Sequence, residues 1–157
     1  MKTQFTRQFQ KYACDGDSIT CTVNGFECTA TIHHDDCSDR PDERQDGFWP
    51  SLDPASAGYI GAKSKSTLAR HHARAERTMQ AWLDNEWFYC GIAVTVSLRD
   101  VQLTKQFHHA VWGIECNLSN GRYRTNGYLR DVANELLDEA LEDAQNVLDD
   151  LLAGVTA

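Results

Sequence analysis

The stretch ITCTVNGFECTA, residues 19–30, decides how the chain starts to fold. An Asn-Gly pair between alternating apolar and polar residues is the strongest short-range hairpin signal, because both central positions of the favoured turn need a positive φ that Asn and Gly tolerate. A two-residue turn fixes the register, setting Val23 opposite Phe26, Cys21 opposite Cys28 and Ile19 opposite Ala30. Side chains alternate along a strand, so these residues share one face, while Thr20, Thr22, Glu27, Thr29 and Thr31 share the solvated one. Cys21 and Cys28 should then touch. A cross-strand disulfide is geometrically open to them, but in a reducing compartment buried thiols act as small hydrophobes.

Beyond the hairpin, DDCSDRPDERQDGFWPSLDP (residues 35–54) holds every proline of the chain and sets seven acids against two Arg without periodicity. It reads as a long acidic loop reaching to about residue 57, of the length that is commonly functional or disordered. Phe48 and Trp49 would pin its far end to the body or anchor a partner. A helix follows over 66–85, where Leu68, His72, Ala75, Met79, Trp82 and Leu83 repeat at spacings of three and four and form a stripe facing the sheet. On that stripe His72 reads as a hydrogen-bonded core histidine. The first half of the helix is basic, with Lys63, Lys65, Arg70, Arg74 and Arg77 against Glu76.

Two more strands follow, WFYCGIAVTVSL (87–98) and VQLTKQFHHAVWGIEC (101–116), joined by a tight turn at Arg99-Asp100. Phe88, Cys90, Ile92, Val94, Val96 and Leu98 alternate along the first, and Val101, Leu103 and Phe107 along the second. Trp112, Ile114 and Cys116 fall out of phase with Phe107. A bulge near HHAVWG, with Gly113 tolerating the bend, would repair the parity. The last helix spans 128–153, with Leu129, Val132, Leu136, Ala140, Ala144, Val147 and Leu151 inward and Gly154 as its stop. The expected architecture is a single α+β domain over residues 1–157, of order ββαββα: a four-stranded antiparallel sheet of two hairpins with both helices on one face.

At 157 residues, 41% hydrophobic and with four Trp and six Phe, the chain can bury a core without needing disulfides or metal to fold. Its net charge of -8 argues against direct binding of a phosphate backbone, which needs clustered Lys and Arg. The opening MKTQFTRQFQKYAC lacks the apolar core of a signal peptide, and no run approaches a membrane span. The expectation is therefore a cytoplasmic protein. Its six Cys, at 14, 21, 28, 37, 90 and 116, form no C-x-x-C pair, and in such a compartment the sequon at Asn117 carries no meaning.

The acidic excess gathers on the last helix, where Asp131, Glu135, Asp138, Glu139, Glu142, Asp143, Asp149 and Asp150 stand against Arg130 alone. Like charges at i,i+4 cost a few tenths of a kcal/mol per pair, and Asp149-Asp150 oppose the helix dipole. Local stability did not select this pattern. It reads either as a solvated face or as a surface that imitates a row of phosphates and occupies a basic groove, one carboxylate per turn of about 5.4 Å. The basic segment 63–77 is an alternative, intramolecular partner for these acids. Asp39, Asp42, Glu43, Asp46 and Trp49 of the acidic loop form a secondary candidate surface.

Signals for chemistry are weaker. Adjacent residues of a strand face opposite sides, so each pair among His33-His34, His71-His72 and His108-His109 offers one imidazole to a given face. HHDDC (33–37) contains zinc-competent ligand types, yet only one or two of them could reach one ion. There is no G-x-S-x-G, P-loop, G-x-G-x-x-G or H-E-x-x-H. Glu115 with His108 or His109 is the one strand-borne acid and histidine combination. The reading assigns no catalytic residue, no bound metal and no cofactor. Its alternatives are a small hydrolase or metal-binding protein using 33–36 and 108–115, and a nucleic-acid module using the basic 63–77 helix.

GIAVTVSLRDVQL, VWGIEC and YLRDVANELLDEALEDA together resemble a group of small proteins of bacteriophages and integrated mobile elements. These carry a Gly-Val-Val-Val-Thr-like strand, a Trp-Gly-Ile-Glu motif and an acidic final helix. The likeness covers about residues 86–146, with a fainter echo at TIHHDD; Arg99-Asp100 replaces an Asn-Gly type turn, and the long acidic loop departs from the pattern. The resemblance transfers no residue roles. It implies a context in which acidic proteins without enzymatic motifs inhibit host defence, as anti-CRISPR and anti-restriction proteins do. The function expected is therefore a non-enzymatic inhibitor that binds a host defence protein or complex and competes with nucleic acid.

Overall fold

The computed structural model describes residues 4–119 and 125–156. The chain divides into two compact units, one of Met1–Asp35 with Tyr89–Ala157 and one of Asp36–Phe88. In the first, β1 (Ser18–Val23) and β2 (Phe26–His34) pair antiparallel in the register read from the sequence, with Val23 opposite Phe26, Cys21 opposite Cys28 and Ile19 opposite Ala30. Asn24 and Gly25 take φ 51° and 87°, the left-handed pair of a turn whose twist matches the strands it joins. Ile19, Val23, Phe26, Cys28, Ala30 and Ile32 are buried, while Thr20, Thr22 and Glu27 are exposed.

β3 (Phe88–Leu98) continues that apolar face, with Cys28 opposite Val96, Ala30 opposite Val94 and Ile32 opposite Ile92. Tyr89, Gly91 and Ala93, on the other face, are buried as well. β3 is thus covered on both sides over its first half, which is why its sequence there reads as a continuous apolar run. On the second face the indole of Trp112 lies directly over Gly91, where a Cβ would fall 2.4 Å from the ring.

After Arg99 and Asp100, at φ 50° and 65°, the expected long strand is interrupted. β4 is only Val101–Gln102. The Thr104 hydroxyl then accepts a 3.0 Å hydrogen bond from the Val96 amide, and the Val96 carbonyl accepts from both Leu103 and Thr104 (2.8 and 3.4 Å). A side chain has replaced the next ladder acceptor, and the chain leaves the sheet. It returns as β5 (His109–Cys116), which pairs with β3 again. Five strand segments therefore occupy the places expected for four strands. The anticipated inward alternation fails here: Val101, opposite Leu98 at the sheet's end, is exposed and Leu103 is half-buried, while Phe107, outside the ladder and no longer bound by its parity, is exposed. Gly113, at φ 75°, does supply a bend within β5.

α1 (Pro41–Arg44) and α2 (Lys65–Leu83) belong to the second unit, and α3 (Leu129–Val155) to the first. α3 packs against β2 and β5 through Leu129, Ala133, Leu137, Ala140 and Ala144. The expected stripe was turned by about one residue, since Val132 and Leu136 are half-buried and Leu151 is exposed. Ala133, Ala140 and Ala144 bring the helix backbone close to the sheet, which places the larger residues on the flanks. Gly154 lies inside the helix rather than stopping it, and it does not adopt the left-handed conformation by which a glycine ends one. Among the described residues no helix is long and apolar enough to cross a membrane.

Residues 4–17 have no regular structure, yet Phe5, Phe9 and Ala13 are buried. Asparagines hold them. Asn134 accepts from the Phe5 amide (2.7 Å) and donates to its carbonyl (3.2 Å), and Asn117 does the same for Ala13 (both 2.8 Å). Asn126 accepts from the Asn117 amide (2.7 Å) and donates to Asn117 Oδ1, Lys11 O and Gln10 O. This network, invisible to periodicity, joins the N-terminal segment, the end of β5 and the entry to α3.

In the second unit the expected acidic loop contains regular structure. α1 forms within it, Ser51 and Tyr59 make a parallel bridge, and Gly58 packs so tightly that a Cβ would fall 1.9 Å from the Trp49 carbonyl oxygen. Ser64 caps α2 by accepting from the Thr67 amide. Trp87 is buried and donates its indole N–H to the Thr78 carbonyl (3.0 Å). His72 is exposed, not core: it lies 3.4 Å from Glu76 and stacks on Trp49 at 5.2 Å.

Two stability measurements follow from this packing. Gly91→Ala forces Trp112 off the sheet and should cost about 1–3 kcal/mol in urea unfolding. Asn117→Ala strands the Ala13 amide and carbonyl and should cost about 2–3 kcal/mol; a loss below the experimental error in either variant would contradict the contact assigned to it.

Candidate functional site

A 27-residue α3 is about 40 Å long, and its two sides differ in kind. Asp131, Glu135, Asp138, Glu142 and Asp149, spaced by three, four or seven, run along the side opposite the buried alanines and leucines and are all exposed. Glu139 and Asp150, also exposed, flank that row. Asp131 pairs with Arg130 at 3.0 Å, and Asp149 accepts from Gln145 at 2.8 Å. Among the described residues no Lys or Arg bridges to Glu135, Glu139, Glu142 or Asp150. The like-charged i,i+4 pairs 131–135, 135–139, 138–142 and 139–143 together cost about 1–2 kcal/mol. Packing of the opposite side must offset this.

Asp143 departs from the expected surface. It sits on the flank toward the sheet, half-buried, with Oδ2 3.2 Å from Nε2 of His109, whose side chain is buried. The neighbouring His108 ring meets His109 edge-on at 4.8 Å. The sequence rule that adjacent residues face opposite sides does not apply, because His108 precedes the first residue of β5 and lies in a turn. Among the described residues His108, His109 and Asp143 are the one group of three side chains that could hold a metal ion, with ligand atoms all within 4.8 Å of one another. Sequence reasoning had paired these histidines with Glu115. Six residues of strand separate Glu115 from His109, roughly 20 Å, so that acid and base do not meet.

The run HHDDC is likewise dispersed. His33 packs on Phe107 (5.0 Å) and Trp112 (6.4 Å) on the second face of the sheet, while His34 is exposed and its amide donates to Asp15. In the second unit Asp39, Glu43 and Asp46 are exposed, and Asp42 is ion-paired with Arg40 at 3.1 Å. Trp49, 38% exposed, is held between Phe48 and His72 at the mouth of a groove lined by Ala73, Arg77, Met79 and Leu83. Lys63, Lys65, Arg70, Arg74 and Arg77 are all exposed on or just before α2.

The cysteines fall into two classes. Cys21 and Cys28 face each other as thiols, and burial pushes Cys28 up to about 12 and Cys21 up as well. The hydrogen bond that the Cys90 thiol makes to Cys116, together with burial, raises Cys90 as well. Cys14 and Cys37 are exposed. Thiolate is the reactive form, so iodoacetamide at neutral pH should label Cys14 and Cys37 and spare Cys28, Cys90 and Cys116 until the protein is denatured; peptide mass mapping of native and denatured protein checks this.

Comparison with known proteins yields no match for this chain among protein-family models, curated proteins or solved structures.

Proposed function

We propose that this protein is a non-enzymatic inhibitor that uses the acidic side of α3 to bind a protein surface otherwise occupied by nucleic acid. The observation that carries the reading is the row Asp131, Glu135, Asp138, Glu142 and Asp149, exposed along one side of a long helix. Its side chains repeat about once per turn, comparable to the spacing of phosphates along a strand. Such a surface attracts a basic groove, speeds encounter and makes the complex sensitive to salt. The helix keeps this pattern against its own local stability, as expected of residues held for contact rather than for folding.

The class of partner is a bacterial host defence assembly that handles nucleic acid, a CRISPR effector or restriction complex. Support for that class is the resemblance of residues 86–146 to phage and mobile-element proteins, together with the net charge of -8. The cytoplasm of the host cell is where such a partner works. The exposed acids of the second unit, Asp39, Glu43 and Asp46, with Trp49, are a secondary candidate surface. A nucleic-acid module built on the basic face of α2 is the competing reading, and duplex or single-stranded DNA binding by the isolated protein would favour it.

The test compares wild type with Glu135→Lys/Glu139→Lys/Glu142→Lys, none of which supports the core. Tagged protein in host lysate should retain a nucleic-acid-handling complex at low salt, release it as salt rises and lose it in the triple variant, and added duplex DNA should displace it. Equal capture by the folded triple variant would end the proposal.

A further inference from the structure

We propose that His108, His109 and Asp143 form a binding site for one divalent transition-metal ion of the zinc class. The donor set is two imidazoles and a carboxylate, the types that zinc takes at about 2.0–2.2 Å. Two ligands of a tetrahedral ion at those bond lengths stand about 3.3 Å apart. Nε2 of His109 and Oδ2 of Asp143 are already 3.2 Å apart, as one edge of such a tetrahedron requires. An ion would replace the imidazole proton between them, with the ring proton carried on Nδ1 instead. His108, exposed and in the turn before β5, supplies the third ligand by a small adjustment within the 4.8 Å span.

The surroundings suit this reading. The burial of His109, with a side chain only 2% exposed, fixes one ligand in the body of the unit, while Asp143 is 39% exposed and opens toward solvent. Three protein ligands leave the fourth position to water or to a donor from a partner. The elements joined are the excursion 103–108 and α3, which no backbone ladder connects. A bound dication would also relieve the repulsion between Glu139 and Asp143 one turn apart. This site lies on a different flank of α3 from the acidic row, and its test at His108 and Asp143 leaves Glu135, Glu139 and Glu142 unchanged, so failure of one reading is distinguishable from failure of the other.

Cobalt(II) serves as a visible probe of tetrahedral N/O sites and zinc as the competitor. Titration of the full chain should give one equivalent of a d–d band that zinc bleaches, together with a zinc-dependent rise in Tm. His108→Ala and Asp143→Asn, both at positions where truncation leaves the core intact, should each weaken zinc binding by more than the 10–100-fold that loss of an outer-shell partner costs. A band that persists in both variants would assign the metal to the exposed Cys14 or Cys37 and overturn the proposal, as would wild-type protein that takes up neither metal.

Discussion

Asn117 and Asn126 hold the closed end of this fold together. Between them they satisfy the backbone of the N-terminal segment at Gln10, Lys11 and Ala13, and Asn126 also accepts from the Asn117 amide. An irregular segment has no ladder of its own, so its buried peptide groups need side-chain partners. Without Asn117 the buried Ala13 would leave both its peptide groups unpaired, at a cost above what its small side chain gains; Asn134 serves Phe5 in the same way. The same two residues, both in the left-handed region at φ 67° and 63°, stand just after β5 and just before α3. The placement of the helix and the burial of the N-terminal strap are therefore one problem with one solution.

From that anchor follows the character of α3. Its inward side is made of small residues and leucines pressed on β2 and β5, and this packing, more than propensity, keeps the helix formed. Because stability comes from one side, the other is free to carry a charge pattern that an isolated helix would resist. Asp143 lies on the boundary between the two and is recruited inward by His109. Acidic composition alone treats all eight carboxylates of the helix as alike; their positions around the axis separate an outward row from Asp143, half-buried on the flank beside His109.

Much of the scaffold was legible because its signals are local. Asn24-Gly25 set the hairpin and its register, the alternation of Cys90, Ile92, Val94 and Val96 gave the central strand, and α2 and α3 appear within a residue or two of their expected bounds. What escaped depends on single side chains acting at long range. Nothing in the sequence around Thr104 says that its hydroxyl will take a ladder position and eject the chain from the sheet. Asn117, Asn126 and Asn134 look like ordinary loop or helix-surface residues until the backbone they clamp is in place. His72 fell on an apolar stripe by spacing, but Trp49 offers it a stacked, exposed position instead. His108 precedes β5 and lies in a turn, so the alternation of strand faces does not govern its direction relative to His109.

The second unit enters and leaves the first at adjoining ladder positions, where the Asp35 amide donates to the Tyr89 carbonyl at 2.9 Å and His34 stands opposite Cys90. In kinetic terms, β2 and β3 are a hairpin whose turn has been replaced by the whole of Asp36–Phe88. Pairing them as extended chain means closing a long loop before any contact repays the entropy. A segment that collapses early brings its two ends together and converts that closure into a nearly local event. In such a topology, early condensation of the insertion would shorten the loop that β2 and β3 must close and so speed the pairing of the central strand.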